Sequence, residues 1–208
     1  MSGKPRSDSH GFTLVELVVT MAILVLIAFA VMPSVADWIR STRVRNAAEA
    51  VQNGLQKART EALRQNKNVT FWLVSLADDR VIDNSCALSG AAASWVVSLA
   101  TPQGSCASAP SETVAPMIIE THAAGDGGHN VTVVSVDAGG NSASSVTFNG
   151  FGQVISPGTG GTAPVAAIDL TSTAGGRRLR IQVSSGGGVR SCDRDVAAND
   201  PRTCVAAN

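Results

Sequence analysis

Glu16 is the only charged side chain between His10 and Asp37, and the twenty residues after it, Leu17 to Ala36, carry no charge. As a helix rising about 1.5 Å per residue, that run spans roughly 30 Å, the thickness of a bilayer core. A carboxylate at such a place is costly to bury and usually marks pairing or function. Other groups able to do chemistry are sparse. The histidines are His10, His122 and His129, and the last two flank a glycine-rich stretch containing Asp126. A histidine and an aspartate in a turn fall short of a ligand set, so no metal is expected. Gly186–Gly188 has no lysine and no helix after it, so it is no phosphate-binding loop. The serines lack a nucleophile-elbow motif. The expectation is a chain without catalytic residues and without a cofactor, not an enzyme.

Cys86, Cys106, Cys192 and Cys204 all follow the apolar run. Four cysteines permit three pairings. An even number beyond a membrane-length helix points to an oxidising compartment. The spacings do not suit a CxxC metal site. Nearest neighbours, Cys86 with Cys106 and Cys192 with Cys204, would close modest loops worth up to roughly 3 kcal/mol each.

The elements that must position these residues follow from the pattern. Met1 to Gly11 is a polar leader with Lys4 and Arg6, whose charges favour the cytoplasmic side. A secretory signal would place its apolar region before the cleavage site. Here the apolar region follows the Gly11-Phe12 junction, so a cut there leaves it on the product. Past Asp37 the chain turns amphipathic. Val44, Ala48, Val51, Leu55, Ala58 and Ala62 recur at alternating steps of four and three, defining one helix face. One helix is expected from about Phe12 to Gln65, bent at Pro33, where proline removes a hydrogen bond. Strands are expected at 69–76, 94–99, 117–121, 131–136, 145–148, 153–155, 166–170 and 178–184. In the last, Leu179, Ile181 and Val183 alternate with Arg178, Arg180 and Gln182, which suits a sheet covered on one face. The amphipathic half of the helix is the natural cover. Gly158–Gly161 and Gly186–Gly188 read as flexible. With 16 basic and 16 acidic side chains, the chain has no global bias towards nucleic acid.

Gly11-Phe12-Thr13-Leu14-Val15-Glu16-Leu17 followed by the apolar run resembles the leader of type IV pilins and type II secretion pseudopilins. Pro33 stands where pilins commonly carry a kinking proline. Ala58-Arg59-Thr60-Glu61-Ala62, leading through Asn68-Val69 into a strand, and the turn Phe148–Gln153 resemble the GspH/FimT branch. The resemblance implies an α+β, pilin-like fold, with a long N-terminal helix on an antiparallel β-sheet domain. It implies cleavage by prepilin peptidase after Gly11 and N-methylation of Phe12. It also implies that Glu16 meets the free N-terminus of a neighbouring subunit. Opposite charges about 4 Å apart attract by about 4 kcal/mol at an effective dielectric near 20, comparable to the roughly 2.5–3.5 kcal/mol cost of inserting a charge at mid-bilayer.

The organisation expected is a leader over 1–11, a membrane or filament-core half-helix over 12–36, an amphipathic half-helix over 37–67 and a periplasmic β domain over 68–208. Before assembly the chain would cross the inner membrane once; afterwards it would sit in a filament with other major and minor pilins or pseudopilins. The function expected is that of a minor pilin at or near a pilus tip, or alternatively a minor pseudopilin of type II secretion or a FimT-like DNA-binding minor pilin in natural transformation. The Cys192–Cys204 stretch is similar to the disulfide-bonded C-terminal loops of several pilins. FimT-type pilins of competent bacteria bind DNA through Gly-Arg-x-Arg near the C-terminal cysteine. This chain reads Gly187-Gly188-Val189-Arg190 there, so only Arg190 matches, with Arg178 and Arg180 on the preceding strand as further phosphate-contacting candidates.

Overall fold

Val44, Ala48, Val51, Leu55, Ala58 and Ala62 are each no more than 2% exposed, so the stripe read from the sequence is a core stripe. In the computed structural model the described residues are 13–173 and 176–204; of Ala30, Val31 and Pro33 only the backbone belongs to the description. The stripe lies on α1 (Leu14–Gln65), a helix of 52 residues. Thr13 caps its start: the Glu16 amide donates to Thr13 Oγ1 at 3.2 Å, and the Leu17 amide donates to the Thr13 carbonyl. The helix stops at Asn66, which takes a left-handed φ of 51°. The Lys67 amide then donates back to the Ala62 carbonyl, a Schellman closure. The bend expected at Pro33 lies outside the described side chains.

The described residues fall into two compact units that meet in sequence at Ile39 and Arg40. The second unit carries nine strands. They are β1 (Val69–Ser75), β2 (Ala87–Leu88), β3 (Ser94–Ser98), β4 (Ile118–His122), β5 (Val131–Val136), β6 (Ser145–Phe148), β7 (Ala167–Ser172), β8 (Arg178–Val183) and β9 (Val189–Asp193). One sheet runs β2-β1-β3-β4, with β6 also on β1; the other runs β5-β7-β8-β9, and every pairing is antiparallel. The core stripe of α1 clusters with Phe71, Leu73, Trp95 and Val97 of the first sheet and with Ile168, Leu170 and Ile181 of the second. The helix thus fills the space that two sheets leave, and both sheets bury one face against it.

Three features depart from the sequence reading. Residues 153–155 form no strand; they make a single bridge, Val154 to Phe148, across a turn that Asn149 closes with its own side chain. Asn149 Oδ1 accepts from the amides of both Phe151 and Gln153 at 3.0 Å. The strands Ala87–Leu88 and Val189–Asp193 were not expected. The first is too short to show a pattern, and the second interleaves Arg190, Ser191 and Asp193 with only two apolar residues. Gly186–Gly188 is no loose linker. It makes the β8–β9 turn, with the Ser184 amide donating to the Gly188 carbonyl at 2.9 Å and Gly187 at φ 80°. A Cβ on Gly187 would strike the Gly152 carbonyl oxygen, so glycine is required there.

Candidate functional site

The first unit is chemically simple. From Leu14 to Ile39 every large apolar side chain described is exposed, from Leu14 at 78% to Ile39 at 40%. Among the described residues nothing covers them, so the segment demands a lipid or protein environment of its own. Among the described residues no single helix is long and apolar enough to cross a membrane; Leu14–Phe29 and Ser34–Gln65 pass the test of length and composition as a pair. Glu16 stands in the first turn, where a carboxylate favours the positive end of the helix dipole. Among the described residues its carboxylate has no partner, and it is exposed. Thr13-Leu14-Val15-Glu16 has the spacing of a capping box, a signal of the helix start that the apolar run overshadows. The expected cleavage and methylation residues, Gly11 and Phe12, lie outside the described residues.

The second unit is held by two disulfides, Cys86–Cys106 and Cys192–Cys204, and no described cysteine is free. Cys86 and Cys106 pack with Trp72, Val74, Val96 and Ile118 on the face of the first sheet that turns away from α1. They pin the long connections around β2 over that face, so β1 and β3 are buried on both sides. Cys192–Cys204 ties the C-terminal segment to β9. The Asp193 amide donates to the Arg202 carbonyl at 2.8 Å, and Asp193 bridges Thr203, so the outer edge of β9 is partly covered.

The three arginines read as DNA-contacting candidates sit on β8 and β9, and all are engaged within the chain. Arg180 forks onto Asp169 with two bonds of 2.7 Å, and Arg194 reaches the same carboxylate at 2.8 Å. Burial pushes the Asp169 carboxyl up, but the two guanidiniums more than reverse this and hold it below the ordinary value. Arg178 bonds Asp195 at 2.7 Å; burial again raises the carboxyl, and Arg178 brings it below its usual range. Arg190 donates to the Thr203 carbonyl at 3.2 Å. Arg177 and Asp193 pair alongside, with the aspartate only 4% exposed. The structure therefore gathers these residues into a strand-face ion network.

The histidines do not converge. His129 Nδ1 meets Asp79 Oδ2 at 3.0 Å, whereas His122 stacks on Trp95. Among the described residues no group of three metal-ligating side chains comes together.

A long capped helix, apolar and uncovered at its start and packed on a disulfide-bonded β domain at its end, is the architecture of a pilin-type subunit. The family described as Type II transport protein GspH matches residues 47–187, and the prokaryotic N-terminal methylation motif matches residues 6–32. The chain belongs to the GspH family. As a member of that family it is a structural subunit and not an enzyme. Two crystal structures of the type IV minor pilin FimU of Pseudomonas aeruginosa are similar to it. One is 18% identical, covers 77% of this chain and 99% of its own, and has a TM-score of 0.41; the other is 19% identical, covers 78% and 95%, and has a TM-score of 0.44. No curated protein matches the chain significantly. The two matches fall on different units: the motif covers the start of the apolar helix, and the GspH region covers α1 from Ala47 onward and the strands β1 to β8.

Proposed function

We propose that the chain is a minor pilin, cut by prepilin peptidase between Gly11 and Phe12 and carried into a filament, at or near its tip, by the retained helix. One observation carries this reading: the methylation motif runs into a helix whose described large apolar side chains up to Ile39 are all exposed and whose only acid before Asp37 is Glu16. A subunit alone in lipid leaves that acid uncompensated. A subunit packed beside another offers it the free amine created by the cut, at an attraction of about 4 kcal/mol for a 4 Å separation. The test is Glu16→Ala in the native host. Membrane insertion should persist while the amount recovered in sheared filaments falls by about tenfold or more, as expected for a buried charge partner. Unchanged incorporation would overturn the register role.

A second reading, a minor pseudopilin of type II secretion, is favoured by the family's description as a transport protein. Deleting the gene decides between them. Loss of surface pili with secretion intact supports the pilus, and loss of exoprotein release with pili intact supports the pseudopilus.

A further inference from the structure

The face of the first sheet that turns away from α1 has two halves, and they are covered in different ways. Trp72, Val74, Val96 and Ile118 form the apolar half, on which the Cys86–Cys106 disulfide packs. Beside it runs a row of hydroxyls. Ser98, Thr70 and Thr147 stand opposite one another across β3, β1 and β6, and Ser145 stands opposite Trp72, so all share that face. Ser98, Thr70 and Thr147 are fully buried, and Ser145 is nearly so. Ser98 is satisfied by the Ala100 carbonyl at 2.6 Å. The cover over the other three is the segment 156–164, which leaves the outer edge of β6 and returns to it. At one end the Ile155 amide donates to the Thr147 carbonyl at 3.0 Å; at the other the Val165 amide donates to the Ser145 carbonyl at 2.9 Å.

Hydroxyls fasten this segment to the sheet. Thr159 Oγ1 lies 2.9 Å from Thr70 Oγ1 and 3.3 Å from Thr147 Oγ1, and the Thr159 amide donates to Thr147 Oγ1 at 2.9 Å. Thr162 Oγ1 lies 3.0 Å from Ser145 Oγ, and Thr70 and Thr147 meet each other at 2.9 Å. No residue from Ser156 to Pro164 is buried or belongs to either apolar cluster, whereas Val154 and Val165 at the two ends pack on the main core. A Cβ on Gly158 would come within 2.9 Å of Thr147 Oγ1, so the segment lies directly on the sheet. Its own turn is internal: the Gly158 amide donates to the Thr162 carbonyl and the Gly161 amide to the Gly158 carbonyl. Lifting the segment exchanges hydroxyl–hydroxyl bonds for bonds to water and gives up no apolar packing of its own, so the net loss is small. Lifting the cover of the other half would expose Trp72 and its aliphatic neighbours, and a covalent bond ties that cover down.

We propose that residues 156–164 form a strap that opens locally while both sheets stay folded, uncovering Thr70, Thr147 and Ser145. The Cys86–Cys106 connection is the locked cover of this sheet face, and the strap is the releasable one. Segments of such low local stability are the ones that rearrange when a protein binds or assembles. The inference stands apart from the filament reading, since every contact in it lies within the second unit.

The test uses the full chain in dodecyl maltoside micelles and reads amide hydrogen exchange residue by residue. The Gly158, Thr159 and Gly161 amides should be protected about a hundredfold less than those of β1, or less still, and their exchange should not respond to urea below the unfolding transition, the mark of a local opening. Thr159→Val removes the hydroxyl that meets Thr70 and Thr147. Exchange at Gly158 should then rise about fivefold, as expected for one hydrogen bond, with β1 unchanged. Thr70→Cys places a thiol beneath the strap, and a thiol reagent should modify it in the folded chain at a rate that urea leaves unaltered below the transition. Exchange of the three strap amides at the rate of β1, with the same urea dependence, overturns the proposal even if neither variant folds. A Thr70→Cys thiol that reacts only as the domain unfolds overturns it as well. Neither result bears on leader processing, which is read independently from the mature N-terminus, so failure here and failure of the filament reading remain distinct.

Discussion

Gly54 sets how closely α1 lies on the first sheet. A Cβ at that position would come within 2.8 Å of Phe71 Cε2 and 2.9 Å of the Trp95 ring, and both rings are buried. Gly54→Ala gains about 1 kcal/mol of helix propensity, yet it forces two packed aromatics apart at a cost of roughly 1–3 kcal/mol. The expected net effect is a lower urea midpoint with an unchanged m-value; a raised midpoint would show that the rings yield freely. Asp169 gives a second residue-level expectation. Its folded carboxyl titrates below its unfolded value, so its pairing with Arg180 and Arg194 stabilises the fold fully above about pH 4 and is lost as pH falls through the folded value. Asp169→Asn should lower the melting temperature at pH 7, and the gap from the unaltered chain should close towards pH 3. A gap that is constant with pH would contradict the assignment. The same ion pairs bear on DNA. A phosphate approaching Arg178 or Arg180 must displace Asp195 or Asp169. The full chain is therefore expected not to retard duplex DNA even at about 50 mM salt. Retardation abolished by Arg178→Ala, Arg180→Ala and Arg190→Ala would contradict this.

At the level of elements, the two disulfides hold different things. Cys192–Cys204 closes a separation of 12 residues and keeps residues 200–204 along β9, whereas Cys86–Cys106 closes 20 and lies in the second apolar cluster. Replacing Cys192 and Cys204 by serine should speed hydrogen exchange at the Asp193 amide while leaving Val96 and Val97 protected. Replacing Cys86 and Cys106 should destabilise the whole domain by about 3 kcal/mol. If both pairs of substitutions had the same diffuse effect, the separation of roles would be wrong. How far these elements could be read in advance follows from periodicity. The helix face, at steps of three and four, and Arg178–Val183, with its clean alternation, are legible because burial writes a period into the residue types. Ala87–Leu88 and Val189–Asp193 are not, since they are placed by neighbouring strands and a disulfide. The tight turn at Gly187 was hidden for a related reason: three consecutive glycines look flexible until the Gly152 carbonyl is found against one of them. Glu16 was legible as an isolated charge, while the hydroxyl row under residues 156–164 was not, because Thr70 and Thr147 are 77 positions apart in the chain.

For the whole molecule, the buried cluster from Val44 to Val183 lies entirely beyond Ile39, and the exposed apolar residues concentrate before Arg40. We expect a chain beginning at Arg40 to remain folded and to unfold in one cooperative step without detergent, and the full chain to require micelles. Aggregation of the shortened chain would mean that the first unit contributes to the fold and not only to placement. On the reading proposed above, the leader, the helix and the domain act in sequence: the first is to be removed, the second to move from lipid to filament, and the third to be displayed. The most direct test of that order is the mature N-terminus of the protein recovered from its native host's filaments. Sequencing and mass analysis should find N-methylated phenylalanine, Phe12, followed by the intact apolar helix. A chain still beginning at Met1 in assembled filaments, or one that begins beyond Ala36, would contradict the account.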